Sequence, residues 1–350
     1  MFLLAAGALS SNSQNMTNPN TNTSLAPAEK LELTQEWDKV YPKSDKVDHR
    51  KVTFVNRYGI TLAADMYTPK GATGKLPAVA VSGPFGAVKE QSSGLYAQQL
   101  AERGYLTIAF DPSFTGESGG QPRRVASPDI NTEDFSAAVD FLSVQPNVDA
   151  ERIGILGVCG WGGIAIQAAI NDPRIKATVA STMYDMTRVS ANGYFDADNS
   201  KEKRNANRAA MAAQRTEDYR NGSYKRAGGV VDPLPDDAPQ FVKDYHAYYK
   251  TPRGYHERSG NSTDGWNATS ALPFVNFKFY DYADELESAV LIVHGEAAHS
   301  YYFGKDTFAK LQGDNKQLLT VKGASHCDLY DQLDIIPFDE IAAFYEEYLK

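Results

Sequence analysis

From Lys51 onward the apolar residues fall into short runs separated by turn formers. KVTFV (51–55) and ITLAADMYTP (60–69) alternate apolar and polar positions about Arg57-Tyr58-Gly59, the pattern of a β-hairpin. The runs that follow are near-continuous: LPAVAVSG (76–83), YLTIAF (105–110), RIGILGV (152–158) and IKATVASTM (175–183). Such runs suit strands covered on both faces, as in a parallel sheet flanked by helices. Between them SSGLYAQQLAERG (92–104), INTEDFSAAVDFLSV (130–144) and GGIAIQAAI (162–170) carry helical spacing. Gly104 closes the first of these helices, and Asn131-Thr132 supply a cap for the second. Strand and helix in alternation predict an α/β fold.

The alternation breaks after Met183 for about a hundred residues and resumes with strand 289–295, helix 306–313, strand 316–323 and helix 338–350. The interruption holds ten of the 20 tyrosines, with Trp266, Phe274, Phe277 and Phe279, and a charged helix at 201–215. The chain therefore divides into an N-terminal segment (1–30), a first core part (31–183), an inserted cap or lid (184–285) after the sixth strand, and a second core part (286–350). The alternative for the insertion is a peripheral helical layer that never touches substrate. MFLLAAGALS (1–10) resembles the tail of a secretory signal without its positive n-region, and SNSQNMTNPNTNTS (11–24) is too polar to bury apolar surface. A periplasmic or secreted location is one reading of this start, and a floppy tail the other.

Composition narrows the chemistry. Two cysteines, Cys159 and Cys327, exclude a disulfide framework and a multi-cysteine metal site. A net charge of -9 sets the field of the molecule against nucleic acid and anionic membrane, and no apolar run approaches the ~20 residues of a membrane-spanning helix. The partner expected is a small molecule, with no cofactor and no metal.

The most informative segment is IGILGVCGWGGIAIQAA (153–169), a strand, a glycine-rich turn and a helix. A nucleophile on such a turn projects from the carboxyl end of a strand, over a helix N-terminus that favours developing negative charge. Gly157-Val158-Cys159-Gly160 follows the G-x-nucleophile-x-G elbow with Cys in place of Ser, but Trp161 stands where the last glycine belongs. At a helix N-terminus and near a His, the thiol is expected to have a lowered pKa and a populated thiolate. The alternatives are a buried, inert cysteine, or a dinucleotide fingerprint running from Gly160 to Ala165 with Asp185 as its acid.

His326, in VKGASHCDLYD after the last strand, is the candidate base. Its carboxylate partner has three candidates: Glu296 beside the strand LIVHG, Asp185 after the preceding strand, and Asp328 next to the histidine. Ala298 occupies a position where an acid often falls. The oxyanion donors expected are the N–H of Gly160 and, from the loop SGPFGAVKEQ, that of Gly83 or Phe85, since Pro84 has none. AFDPSFTGESGG (109–120) is a further loop expected at the cleft, with Glu117 of unassigned role.

With the elbow, the late histidine and the strand order in place, residues of about 45–183 and 285–350 resemble the α/β-hydrolase superfamily, in its dienelactone-hydrolase-like and X-prolyl-peptidase-like branch. The resemblance implies an eight-stranded, mostly parallel sheet and a cofactor-free hydrolase, with Cys159 as nucleophile and His326 as base. The expected reaction is cleavage of a carboxylic ester, lactone or thioester. X-prolyl peptide hydrolysis and a non-catalytic, ligand-binding use of the fold are the alternatives.

Overall fold

The computed structural model describes residue 24 and residues 27–350, so the signal-like run at 1–10 and most of the polar tract after it lie outside the described residues. The alternating pattern near the start of the core becomes an antiparallel hairpin of β1 (Val47–Val55) and β2 (Thr61–Pro69), with Val55 opposite Thr61 across the Gly59 turn. The apolar runs become β3 (Leu76–Ser82), β4 (Leu106–Phe110), β5 (Val148–Val158) and β6 (Ala177–Ser181). The intervening helices are α1 (Ser92–Glu102), α2 (Pro128–Ser143) and α3 (Gly160–Asn171). Ser127 starts α2 by accepting from Ile130 N–H, the Ncap role expected of Asn131-Thr132 four and five residues later.

Between β6 and the next strand lie α4 (Met186–Asn192), α5 (Lys201–Asn221), α6 (Gln240–Tyr249) and α7 (Ala271–Asn276). Helix α5 is capped by Ser200 and ended by Gly222 in the left-handed conformation, and it is polar and exposed along most of its length. Helix α6 turns Tyr248 and Tyr249 inward, where both are buried. The chain then re-enters the sheet through β7 (Ala289–Gly295), α8 (Tyr301–Phe308), β8 (Lys316–Val321), a short α9 (Asp328–Asp331) and α10 (Phe338–Tyr348). Helix α8 begins five residues before the expected 306 because Phe303 is buried, and Gly304 lets it approach β7 closely. A Cβ on Gly304 would lie 2.7 Å from the His294 ring.

The sheet has eight strands in the order β1-β2-β4-β3-β5-β6-β7-β8, parallel from β4 through β8. Apolar cores form on both faces, one under α2 and α3 (Phe135, Val139, Trp161, Ile164), the other under α1 and α10 (Tyr96, Leu100, Ile341, Tyr345). Each such fully buried large side chain contributes about 1.5–3 kcal/mol. The register aligns the carboxyl ends: Ser82 pairs with Gly157, Val158 with Ser181, and Ser181 with Val293. The chain reverses direction of growth between β3 and β5. In open α/β sheets the crevice at such a switch point is where ligands bind.

Candidate active site

The turn from β5 into α3 places Cys159 at φ 60°, ψ −127°, a conformation that side chains rarely adopt and that lifts its sulfur out of the strand end. Two glycines make this turn possible. A Cβ on Gly157 would lie 2.0 Å from the Trp161 carbonyl oxygen, and one on Gly163 would lie 2.1 Å from that of Tyr184. Trp161, the departure from the elbow pattern, points into the core and packs edge-on against Phe110 and Phe135, with ring centroids 5.9 and 5.5 Å away. The space it needs is left by Gly83, whose missing Cβ would stand 2.8 Å from that of Trp161.

Of the two loop donors considered, it is Phe85 whose backbone N–H favours the Cys159 thiolate, together with that of Gly160 and the Tyr330 hydroxyl. Gly83, at φ 104°, is committed to the close approach of the loop and the elbow. The sulfur opens on a cavity of about 230 Å³ walled by Phe85 and by Tyr184, Tyr194, Tyr245, Tyr249 and Tyr330, with Asn261, Gly228 and Gly229 at its polar side. Most of these residues come from the stretch between β6 and β7, so the insertion does line the space above Cys159.

His326 is buried beside this wall. Its Nε2 lies 3.0 Å from the Tyr330 hydroxyl, and among the described residues no hydrogen bond joins ring and thiol directly. Its Nδ1 faces two hydroxyls, Ser300 Oγ at 2.6 Å and Thr182 Oγ1 at 2.9 Å. None of the three candidate acids reaches it. Glu296 is exposed and accepts from Gly323 N–H at 3.0 Å, tying the ends of β7 and β8 together. Asp185 caps α4, accepting from the N–H groups of Thr187 and Arg188 and from the Thr187 hydroxyl. The same use as a cap leaves Asp185 committed to its own chain, not to a bound ribose. Asp328 accepts from Ser325 N–H at 2.8 Å and from the Gln332 side chain.

The electrostatics also depart from the expected thiolate. Burial pushes the Cys159 thiol up from 9.0, and the Tyr330, Gly160 and Phe85 hydrogen bonds only partly offset it. Burial holds His326 well below 6.5, aided by the nearby His299 and His294. His299, whose ring centroid is 5.2 Å from that of His326, is itself lowered to about 4 by burial and by His294. Its Nε2 is bonded to the Tyr184 hydroxyl, and His294 Nε2 to the Met183 carbonyl. The resting site is thus a neutral thiol, a neutral imidazole and a wall of protonated tyrosines.

Glu117 lies in a buried ion cluster, with no place on the cavity wall. Lys89 Nζ donates to Glu90, Asp111 and Glu117, each at 2.7 Å, and Lys51 adds a second ammonium 2.7 Å from Glu117. Among the described residues Glu90, Asp111 and Glu117 are also the one set of carboxylates grouped closely enough for a metal, and the Lys89 ammonium already bonds to all three. Lys89 N–H bonds to Asp111 at 2.8 Å, so this cluster anchors the loop that presents Phe85.

A family model describing X-Pro dipeptidyl-peptidases (S15 family) matches residues 58–327. The chain belongs to the S15 family. It is an α/β-hydrolase, in fold and in the kind of enzyme it is. Uncharacterized protein PA2218 of Pseudomonas aeruginosa is 57% identical over 321 residues, 91% of this chain and 86% of that protein. The crystal structure of PA2218 superposes with a TM-score of 0.89, covering 91% of this chain and 99% of that one at 56% identity. Thiohydrolase aneE of Aspergillus aculeatus is 34% identical over 137 residues, 39% of this chain and 42% of that protein. The α/β hydrolase GrgF of Penicillium sp. shares the fold at a TM-score of 0.72 and 18% identity, over 86% of this chain and 99% of that one.

In this S15-family member the structure brings four of the residues expected from sequence, Cys159, His326, Gly160 and Phe85, to one end of the sheet, and sets beside them Ser300, Thr182 and Tyr330, which carry no motif in the sequence. Ser300 lies two residues beyond Ala298 in the loop after β7, and a serine there has no sequence signal that marks it as the partner of a histidine. Tyr330 lies four residues after His326, on the same turn of chain.

Proposed function

We propose that this hydrolase cleaves a carboxylic ester, lactone or thioester through an acyl-enzyme on Cys159. The observation that carries this reading is the strained elbow at Cys159, opening on the tyrosine-walled cavity beside the backbone of Phe85 and Gly160. The sulfur attacks the carbonyl carbon and forms the C–S bond. The oxygen takes up negative charge, which the two N–H groups stabilise, and His326 is the base that receives the thiol proton. Return of that proton to the leaving alcohol or thiol frees it, and water then hydrolyses the thioester to release the acid. Residues 184–285 act as a cap whose aromatic wall selects an apolar or ring-bearing acyl group. The likeness to a thiohydrolase supports the thioester as a member of the substrate class.

The family's own activity, release of X-Pro dipeptides, is the second reading, and the family match favours it. Against it, the described cavity wall has no carboxylate to hold the ammonium of a peptide's N-terminus. The test is turnover of p-nitrophenyl esters and N-acetylcysteamine thioesters beside X-Pro p-nitroanilides. Esters or thioesters are expected to be cleaved, with turnover abolished in Cys159→Ala and His326→Ala. Faster cleavage of the p-nitroanilides decides for the peptidase, and turnover surviving in Cys159→Ala overturns the thiol mechanism.

A further inference from the structure

Tyr330 is fully buried, with its hydroxyl 3.0 Å from His326 Nε2. It lines the cavity together with Cys159, whereas His326 does not. Its ring is fixed by Tyr248 and Tyr249, with centroids 5.0 and 6.1 Å away, and by a short helical turn that begins with Tyr330 N–H bonded to the Cys327 carbonyl. A phenol is both donor and acceptor, so it can take one proton while giving another. At Nδ1 of His326 two uncharged hydroxyls stand ready to accept, an arrangement suited to a proton on Nδ1 and a bare Nε2 facing Tyr330.

We propose that Tyr330 is a catalytic residue that relays the proton between Cys159 and His326, while Ser300 and Thr182 hold the ring in the required tautomer. The inference rests on the reading of Cys159 as nucleophile. In acylation the S–H proton moves to the Tyr330 oxygen as the Tyr330 proton moves to His326 Nε2. The sulfur electron pair forms the bond to the acyl carbon, and an imidazolium results. Collapse of the tetrahedral intermediate breaks the bond to the leaving group. The leaving oxygen or sulfur then recovers a proton by the reverse path, leaving neutral Tyr330 and neutral His326. No external acid, base or redox partner is needed.

The test is single-turnover acylation by an activated ester in mixtures of H2O and D2O. Two protons in flight give the wild type a bowed dependence of rate on deuterium fraction. In Tyr330→Phe acylation is expected to slow by ~10² or more, with KM and the melting curve little changed and the deuterium dependence linear. A wild-type rate in Tyr330→Phe overturns the relay, as does a slowed rate whose dependence stays bowed, which marks a ring that only packs. Should the Phe variant not fold, 3-fluorotyrosine at position 330 preserves the shape and makes the hydroxyl more acidic. An acylation rate that changes with that acidity supports the relay, and an unchanged rate overturns it. Cys159→Ala separates the two levels: turnover surviving there overturns the nucleophile itself, whereas a dead Cys159→Ala beside a fully active Tyr330→Phe overturns the relay alone.

Discussion

Ser300 Oγ stands 2.6 Å from Nδ1 of His326, in the place where a carboxylate was expected. A hydroxyl orients the ring by accepting from Nδ1–H but brings no negative charge to the imidazolium formed during proton transfer. Each such neutral hydrogen bond contributes about 1 kcal/mol, or roughly fivefold in rate. Ser300→Ala is therefore expected to lower kcat/KM on an activated ester about fivefold, and Ser300→Ala with Thr182→Ala about thirtyfold. Full activity in the double variant would show that His326 needs neither hydroxyl.

The neutral resting site sets the pH dependence. The groups facing His326 are His299, His294, Tyr184, Tyr245 and Tyr330, and among the described residues no carboxylate bonds to the ring. The base works unprotonated, above its pKa, and that pKa lies well below 6.5. The rate should hold level from pH 8 down through 6.5 and fall only below it, the acid limb of kcat/KM. Because the thiol lies above 9.0, alkylation of Cys159 by iodoacetamide should be slow at pH 7 and rise past pH 9. An acid limb at or above 6.5, or rapid alkylation at pH 7, would contradict a neutral thiol–imidazole pair.

What could be read in advance follows physical range. The strands from β3 to β7 were visible because burial on both faces demands continuous apolar runs, and the elbow because its glycines are local requirements of the turn. The partner of His326 was not visible, since it depends on the alignment of β6 with β7, Ser181 beside Val293, which brings Thr182 and Ser300 to one ring. Trp161 looked like a defect in the motif because its compensation, Gly83, lies on another strand end. Glu117 looked available because its ammonium partners, Lys51 and Lys89, arrive from β1 and from the loop after β3.

Gly83 gives a test of that compensation. An added Cβ there meets the Val158 carbonyl oxygen at 2.3 Å and the Trp161 Cβ at 2.8 Å, in a residue at φ 104°. Backbone strain of this kind costs about 1–3 kcal/mol, and the carbonyl has no side-chain freedom with which to retreat. Gly83→Ala should lower the melting temperature by at least a few degrees. It should also reduce acylation through displacement of the adjoining Phe85 N–H. An unchanged melting temperature and rate would mean the elbow and the loop are free to separate.

Lys89 tests the ion cluster that holds the same loop. Its fully buried ammonium is shared by three carboxylates, and removing it in Lys89→Met leaves Glu90, Asp111 and Glu117 facing one another with Lys51 and Arg258 as the remaining cations. Breaking a buried pair costs about 3–5 kcal/mol, so a marked loss of stability in urea is expected. Acid should act on the same cluster in the wild type. Burial works to raise the Glu117 pKa, but Lys89 and Lys51 bring it down from 4.5 to about 2. A carboxyl depressed in the folded state contributes stability that is fully present above 4.5 and is lost as pH falls toward about 2. Glu117→Gln should therefore be less stable than wild type at pH 7, with the gap closing toward pH 2. A gap that stays constant with pH would show that the charge of Glu117 plays no part in holding the loop.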